Sequence, residues 1–569
     1  MAELGKQILK NILLGSAALL LSYCANQLPP GGGDIDRIPP GVTEVYPENG
    51  STSFEDDYFE LGFSEYVDKR SVKDAIFISP AIQGNLDLDW SGKYVRVYFP
   101  EKLKPNTTYV ITVGTDVVDF NNHNNMAKAF TFTFSTGKEI DRRTITGRVY
   151  QEKPQGILML AYKLTSVDTI NPMKNKPDYI SQTGKDGTFA LNGMAAGTYR
   201  IFAVQDEFRD LTFQPDQDKI GMPFTDIVLR ESDSLYTGLN FFITKIDTMS
   251  PRLLNASMID KFHVLVNFSE EIDSTIYKKN NFFIYDSTSN KKIGIRYFYK
   301  GSAKPTEIFF VPDDTIPPED NVFLHADTIK DKASNIFLND NVYLNLSSRP
   351  DTIPPGIIKS IPPAGSKDAD FLKEKFSFFF NDAFDTSNAK SGISFRDTLG
   401  KAVPIGISFT DDASFTLEPL KNLEPKKYYI ISIDLSKISD AAGNKRDSVY
   451  KSKIQTISGL DFTGASGKLS GIELNANPVL VLEGTSPAKI LGNGKNIYTR
   501  KPDKNYMFNF ERVEAGKYTL WCYLDKDSSG SYSFGYHFPF KPSEEFSVYP
   551  DTLNLKARWM QTDLNFIFK

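Results

Sequence analysis

Apolar residues recur at every second position along most of this chain, in short runs closed by Gly, Pro, Asn or Asp. Tyr109-Val-Ile-Thr-Val113 and Tyr429-Ile-Ile-Ser-Ile433 alternate in this way, each entered through a Leu-x-Pro turn, Leu103 with Pro105 and Leu423 with Pro425. Phe189 and Leu191 precede Gly197-x-Tyr199-x-Ile201, and Phe508 and Phe510 precede Gly516-x-Tyr518-x-Leu520. A period of two is that of half-buried β-strands, so these segments predict antiparallel strands, with Ala196-Gly197 and Ala515-Gly516 as hairpin turns. The apolar run Ile12 to Leu21 is of another kind. A helix rises ~1.5 Å per residue and needs ~20 apolar residues to span a bilayer, so this run marks a processed export segment.

The predicted strands fall into repeats. Ile38-Pro39-Pro40-Gly41, followed by Pro47 and Gly50, matches Ile353-Pro354-Pro355-Gly356, followed by Pro362 and Gly365, at the same offsets. A more divergent copy lies between them. Its Phe268-Ser269-Glu270 parallels Phe63-Ser64-Glu65 and, more loosely, Phe380-Asn381-Asp382, and its Asp331 and Asn335 parallel Asp440 and Asn444. A second repeat type comprises the Phe189 and Phe508 stretches, which end on Asp206 and Asp525 at equal offsets. The order is therefore A, B, A, A, B. We expect a signal peptide over 1–23, a flexible tether over 24–38, A units over 39–138, 246–350 and 351–457, and B units over 139–245 and 458–569.

The A units, with their Pro-Pro opening, Phe-Ser-Glu strand, Leu-x-Pro-x-x-x-Tyr entry and Asp-x-x-Gly-Asn loop, resemble the bacterial immunoglobulin-like domain of S-layer proteins. The B units, through Thr146-Gly147-Arg148-Val149 and Gly187-x-Phe189-x-Leu191, resemble carboxypeptidase-regulatory, transthyretin-like sandwiches. These resemblances imply an all-β chain of tandem Ig-like and transthyretin-like β-sandwiches, arranged as in envelope lipoproteins of Bacteroidota. Leu21-Ser22-Tyr23-Cys24 in turn resembles a lipobox, with Tyr23 in place of the usual small residue. That resemblance implies cleavage before Cys24 and acyl chains on it. Each buried methylene contributes ~0.8 kcal/mol, so two or more chains anchor stably. Ala25 after the cysteine points to the outer membrane, while no acidic run follows to say which face the chain occupies.

Composition agrees with sandwiches. Phe (43) and Tyr (27) are abundant and Trp (3) is scarce, which suits β-structure better than helical bundles. The only cysteines are Cys24 and Cys522, so acylation of Cys24 precludes an internal disulfide and leaves stability to packing. The net charge of −6 is spread out with no basic stripe, which argues against nucleic acid as a partner.

The search for chemistry yields little. His-Glu-x-x-His, Gly-x-Ser-x-Gly, Walker and paired Cys-x-x-Cys motifs are missing, and His123, His263, His325 and His537 each stand alone as expected loop or strand-surface residues. No catalytic residue and no cofactor beyond the acyl chains are expected. Asp525-Lys-Asp527-Ser-Ser529-Gly530 resembles the first half of an EF-hand calcium loop, with Tyr536 where the bidentate Glu belongs. Asp525, Asp527 and Ser529 are thus metal candidates set against a plain hairpin turn. Tyr532, Phe534, Tyr536, Phe538 and Phe540 place five rings on one face of an extended strand, either filling the last core or forming a docking surface.

Asp-Ser/Thr triplets are also denser than average usage predicts. They offer Thr169, Ser234, Thr248, Ser274, Ser287, Thr315, Thr328, Thr352, Thr398, Ser448 and Thr552. The triplet resembles the O-glycosylation sequon of Bacteroidota, and it also suits turns. The sequence as a whole predicts a non-catalytic, lipid-anchored scaffold or binding protein of the outer membrane, beside an integral β-barrel complex. A surface carbohydrate-binding lipoprotein is the alternative.

Overall fold

The computed structural model describes residues 36–569 apart from 83, 166–169, 274–278, 302–303, 318, 320, 373, 461, 474–475 and 488–494. It is nearly all β, as the alternation predicts. No helix among the described residues is long and apolar enough to cross a membrane. Contacts divide the chain into two compact units. One is formed by residues up to 144 with 153–156 and 179–195, and the other by 145–152, 157–178 and 196–569.

The first unit holds a sandwich of two sheets. Val42–Tyr46, Tyr58–Phe63, Tyr94–Tyr98 and Asp87–Ser91 pair in that order, and Thr108–Val113 lies between Ile76–Ser79 and Phe130–Ser135. Inward residues from both sheets, among them Phe59, Leu61, Val97, Ile111, Phe132 and Phe134, are buried without remainder. Within this unit the Ile180 amide donates to Ser79 Oγ (3.1 Å) and the Thr115 amide to Gln182 Oε1 (2.6 Å).

In the second unit, residues 351–457 repeat that topology strand for strand. Ile357–Ile361, Phe376–Phe380, Ser414–Pro419 and Ile405–Asp411 form one sheet, and Ile393–Asp397, Tyr428–Asp434 and Val449–Gln455 the other. Residues 246–350 carry the same two strand sets, with the strand Lys291–Ile293 added at one edge. Here they are joined into one eight-stranded sheet by parallel pairing of Leu253–Met258 with Ile336–Asn345. The divergent copy is thus the same sandwich closed further.

Residues 458–569 fold differently. Phe462–Ser470 lies between Met507–Glu514 and, in parallel, Gln561–Ile567. Gly516–Leu524 pairs with Pro478–Pro487, Phe546–Val548 and Leu553–Leu555 in the other sheet. The strands before and after Ala515-Gly516 therefore belong to opposite sheets. The expected hairpin is a corner that carries the chain across the core, because Phe508, Phe510, Tyr518 and Leu520 all point into one cluster between the sheets. Gly197–Gln205 holds the equivalent central place for residues 139–245, paired with Leu158–Lys163, Lys219–Gly221 and Ile227–Leu229.

Candidate functional site

The polar loops of the three A units do one thing in common: they grip the chain entering the unit. The residue after the Phe-Ser-Glu strand's Phe exchanges two bonds with the entering segment. Ser64 and Gly41, Ser269 and Arg252, and Asn381 and Gly356 each pair backbone N–H to C=O, and the Gly41, Arg252 and Gly356 amides donate back to Ser64 Oγ, Ser269 Oγ and Asn381 Oδ1. The loop asparagine then fixes the linker. Asn124, Asn335 and Asn444 Nδ2 donate to the carbonyls of Asp36, Asp247 and Asp351 at 3.0, 3.1 and 3.4 Å. Each asparagine is held in turn by an aspartate that caps its own loop, Asp119, Asp331 or Asp440.

This geometry crowds three carboxylates at two of the joints. Oxygens of Asp247, Glu270 and Asp331 lie within 4.8 Å of one another, as do those of Asp351, Asp382 and Asp440. Burial, then the charges of Asp247 and Asp331, push Glu270 up to about 7. Glu65 is raised in the same direction by burial and by Asp119 and Asp36.

At the joint between residues 246–350 and 351–457 a histidine enters the cluster. His263, expected on a surface, is 3% exposed. Its Nδ1 lies 2.9 Å from both Asp260 oxygens and its Nε2 2.9 Å from Asp382 Oδ1. Tyr299 donates its hydroxyl to the same Asp382 oxygen at 3.2 Å. Both ring nitrogens face acceptors, so the ring is an imidazolium donating twice. Burial opposes that charge, but the hydrogen bonds and charges of Asp260 and Asp382 outweigh it and carry His263 up to about 10. No local motif signals this site, because Asp382 lies 119 residues away.

The aromatic row of the last domain is not a strand. Residues 532–541 form a loop closed by paired Tyr536 and Lys541 backbone bonds at 2.9 Å. Gly535 has φ +76°, and a Cβ there would meet Lys541 O at 2.4 Å, so only glycine permits the turn. The five rings consequently part company. Tyr532 joins Tyr150, Phe242, Trp521 and Phe546 in a cluster in which Phe242 stacks on Phe546 at 4.0 Å. Phe540 meets Phe202 edge-on, with the Arg200 guanidinium 3.6 Å from its ring centre. Arg200 is itself held by two 2.8 Å bonds to Asp226. His537 is buried against Phe213, its Nε2 3.2 Å from Met173 Sδ, and burial lowers its pKa. Phe534, Tyr536 and Phe538 stay exposed at 39, 36 and 44%. Part of the row thus docks within its own compact unit, onto Tyr150, Phe202, Phe213 and Phe242.

Asp525 and Asp527 come together with Glu544, a residue the sequence pattern does not single out, and Ser529 Oγ donates to Ser531 O. Of the triplet hydroxyls, Ser234, Thr248, Ser287, Thr315, Thr352, Thr398, Ser448 and Thr552 are exposed and Thr328 is half-buried. Cys24, Thr169 and Ser274 lie outside the described residues. Cys522 is buried, which pushes its thiol up and keeps it unreactive.

Residues 36–136 and 351–463 match the bacterial Ig-like domain family. No curated protein matches the chain. Among solved structures, the N-terminal part of the bacterial S-layer protein SbsC is 10% identical over 37% of this chain and 44% of that one, with a TM-score of 0.17. Domains 1–6 of surface layer protein SbsC are 10% identical over 91% of this chain and 68% of that one, with a TM-score of 0.17. BcpA, the major pilin subunit of Bacillus cereus, is 8% identical over 76% of this chain and 99% of that one, with a TM-score of 0.14. The chain carries bacterial Ig-like domains within a tandem of β-sandwiches.

Proposed function

We propose that this protein is a non-catalytic scaffold of the outer membrane, held by acyl chains on Cys24, that serves as an accessory subunit of an integral β-barrel complex for assembly, secretion or uptake. The observation that carries the scaffold reading is the joint repeated at Asp36, Asp247 and Asp351. End loops are where a β-sandwich ordinarily places ligand-binding groups. Here those loops spend their polar groups on fixing the segment that leads into each unit, which sets the units at defined joints, as a spacer requires. The barrel partner follows from the anchor, which confines the chain beside such complexes.

The test is capture from cells in mild detergent, comparing the native chain with Cys24→Ser. The native chain is expected to carry labelled palmitate and to bring down a barrel protein, and Cys24→Ser to lose the label. Recovery of no barrel protein by the lipidated chain counts against the partner. A glycan-binding reading draws on the exposed rings of Phe534, Tyr536 and Phe538 and on Trp559, 77% exposed beside Asn554, Lys556 and Gln561. Binding on a glycan array that Trp559→Ala abolishes would favour it.

A further inference from the structure

The loop Asp525–Gly530 and the distant Glu544 make an oxygen cage with one buried oxygen left unanswered. Asp525 is 2% exposed, and its Oδ2 accepts from Asn477 Nδ2 (3.2 Å) and the Gly530 amide (3.3 Å), with Lys501 Nζ at 3.8 Å. Its Oδ1 is buried and receives no hydrogen bond. Oxygens of Asp525, Asp527 and Glu544 lie within 4.8 Å of one another. Asp527 accepts from the Ser529 amide (2.9 Å) and Ser533 Oγ (2.6 Å), and Glu544 from the Lys526 (2.8 Å) and Ser533 (3.1 Å) amides, so loop and carboxylates are already held in place.

The other B unit provides an internal comparison. Asp206 stands at the position of Asp525, yet both of its oxygens accept loop amides, Oδ1 from Phe208 and Arg209 and Oδ2 from Leu211. Asp218, buried beside it, likewise accepts from the Glu207 and Gln214 amides. There the backbone satisfies the carboxylates, whereas at Asp525 one oxygen waits for something else. A buried carboxylate oxygen without a donor is answered by a proton or a cation. Three carboxylates against one lysine, all oxygen and no nitrogen or sulfur, select a hard cation, and oxygens up to 4.8 Å apart fit ligands at 2.3–2.6 Å around calcium.

We propose that Asp525, Asp527 and Glu544 bind one calcium ion, with Glu544 taking the part that position twelve of an EF-hand loop plays and Tyr536 cannot. Gly530, at φ +75°, makes the turn that brings Asp525 and Asp527 to one side. The ion would tie the two ends of the segment whose Tyr532, His537 and Phe540 pack on Phe242, Phe213 and Phe202. Calcium therefore braces that contact as well as the loop.

The test is calorimetric titration of the full chain, stripped with EDTA, with calcium chloride. One site is expected that weakens at least tenfold in Asp527→Asn and Glu544→Gln and is unchanged in Asp206→Asn. Asp527 is exposed, so its variant is expected to match the wild-type melting temperature in EDTA and to lose only the calcium-dependent rise. Absence of binding at millimolar calcium, or equal affinity in wild type, Asp527→Asn and Glu544→Gln, overturns the proposal. The second outcome assigns any heat to the acidic joints of the A units.

Discussion

At the scale of single residues, His263 is the group with most at stake. It sits between two carboxylates in a place that water does not reach, and its charge is the counterweight to Asp260 and Asp382. Its folded pKa of about 10 lies above the usual 6.5. The stabilisation is therefore fully present below pH 6.5 and lost as pH rises through 10. Breaking a buried pair by removing one partner costs about 3–5 kcal/mol, because the carboxylates stay buried without a cation. His263→Ala should lose about that much at pH 6, measured by urea unfolding, and the loss should shrink as pH approaches 10. An equal pH slope in wild type and variant between pH 6.5 and 10 would mean that the ring carries no charge.

At the scale of elements, the contact of the last sandwich with Tyr150 and Phe242 rests on packed rings. Phe242 touches Tyr150, Trp521, Tyr532 and Phe546, so its truncation opens a cavity on all of them. Phe242→Ala should cost about 3–5 kcal/mol and expose residues 532–541 to protease, whereas Phe538→Ala, on a ring 44% exposed, should stay within ~0.5 kcal/mol. Equal protease resistance in wild type and Phe242→Ala would show that these rings do not hold the contact. Strands of this kind were legible in the sequence because one face is wet and the other dry, which writes a period of two into the residues. The row from Tyr532 to Phe540 carries the same period and is a loop. Periodicity records only which positions are apolar, while Gly535 and the prolines at 539 and 542 decide that the backbone turns. Ala515-Gly516 failed as a hairpin for a related reason, since local pattern does not say which sheet the next strand joins. The joints were half legible: the Phe-Ser-Glu and Asp-to-Asn motifs marked the residues, but their bonds to linkers some 90 positions away follow only from the fold. The pairing of His263 with Asp382 and the approach of Glu544 left no local trace, being set by contacts 119 and 18 residues off.

At the scale of the whole molecule, modification by glycans depends on where the triplet hydroxyls sit after folding. An enzyme acting on an exported, folded chain can reach only hydroxyls at the surface. Among the described triplets, all but the half-buried Thr328 are exposed residues, and all of them, from Ser234 onwards, lie in the second compact unit. Exposure is common for Ser and Thr in turns, so accessibility permits modification without requiring it. Three of the sites differ in how free the hydroxyl is: Ser287 Oγ is committed to Asn321 O at 2.6 Å, Thr328 is partly covered in a strand, and Thr352 stands exposed beside the joint at Asp351. Glycans on Thr352 and Thr398 but not on Ser287 or Thr328 are thus the expected pattern. Intact-mass measurement of the native chain should exceed peptide plus acyl groups, and peptide mapping should place the excess on the free hydroxyls. A mass equal to peptide plus lipid would leave the triplets as turn chemistry alone.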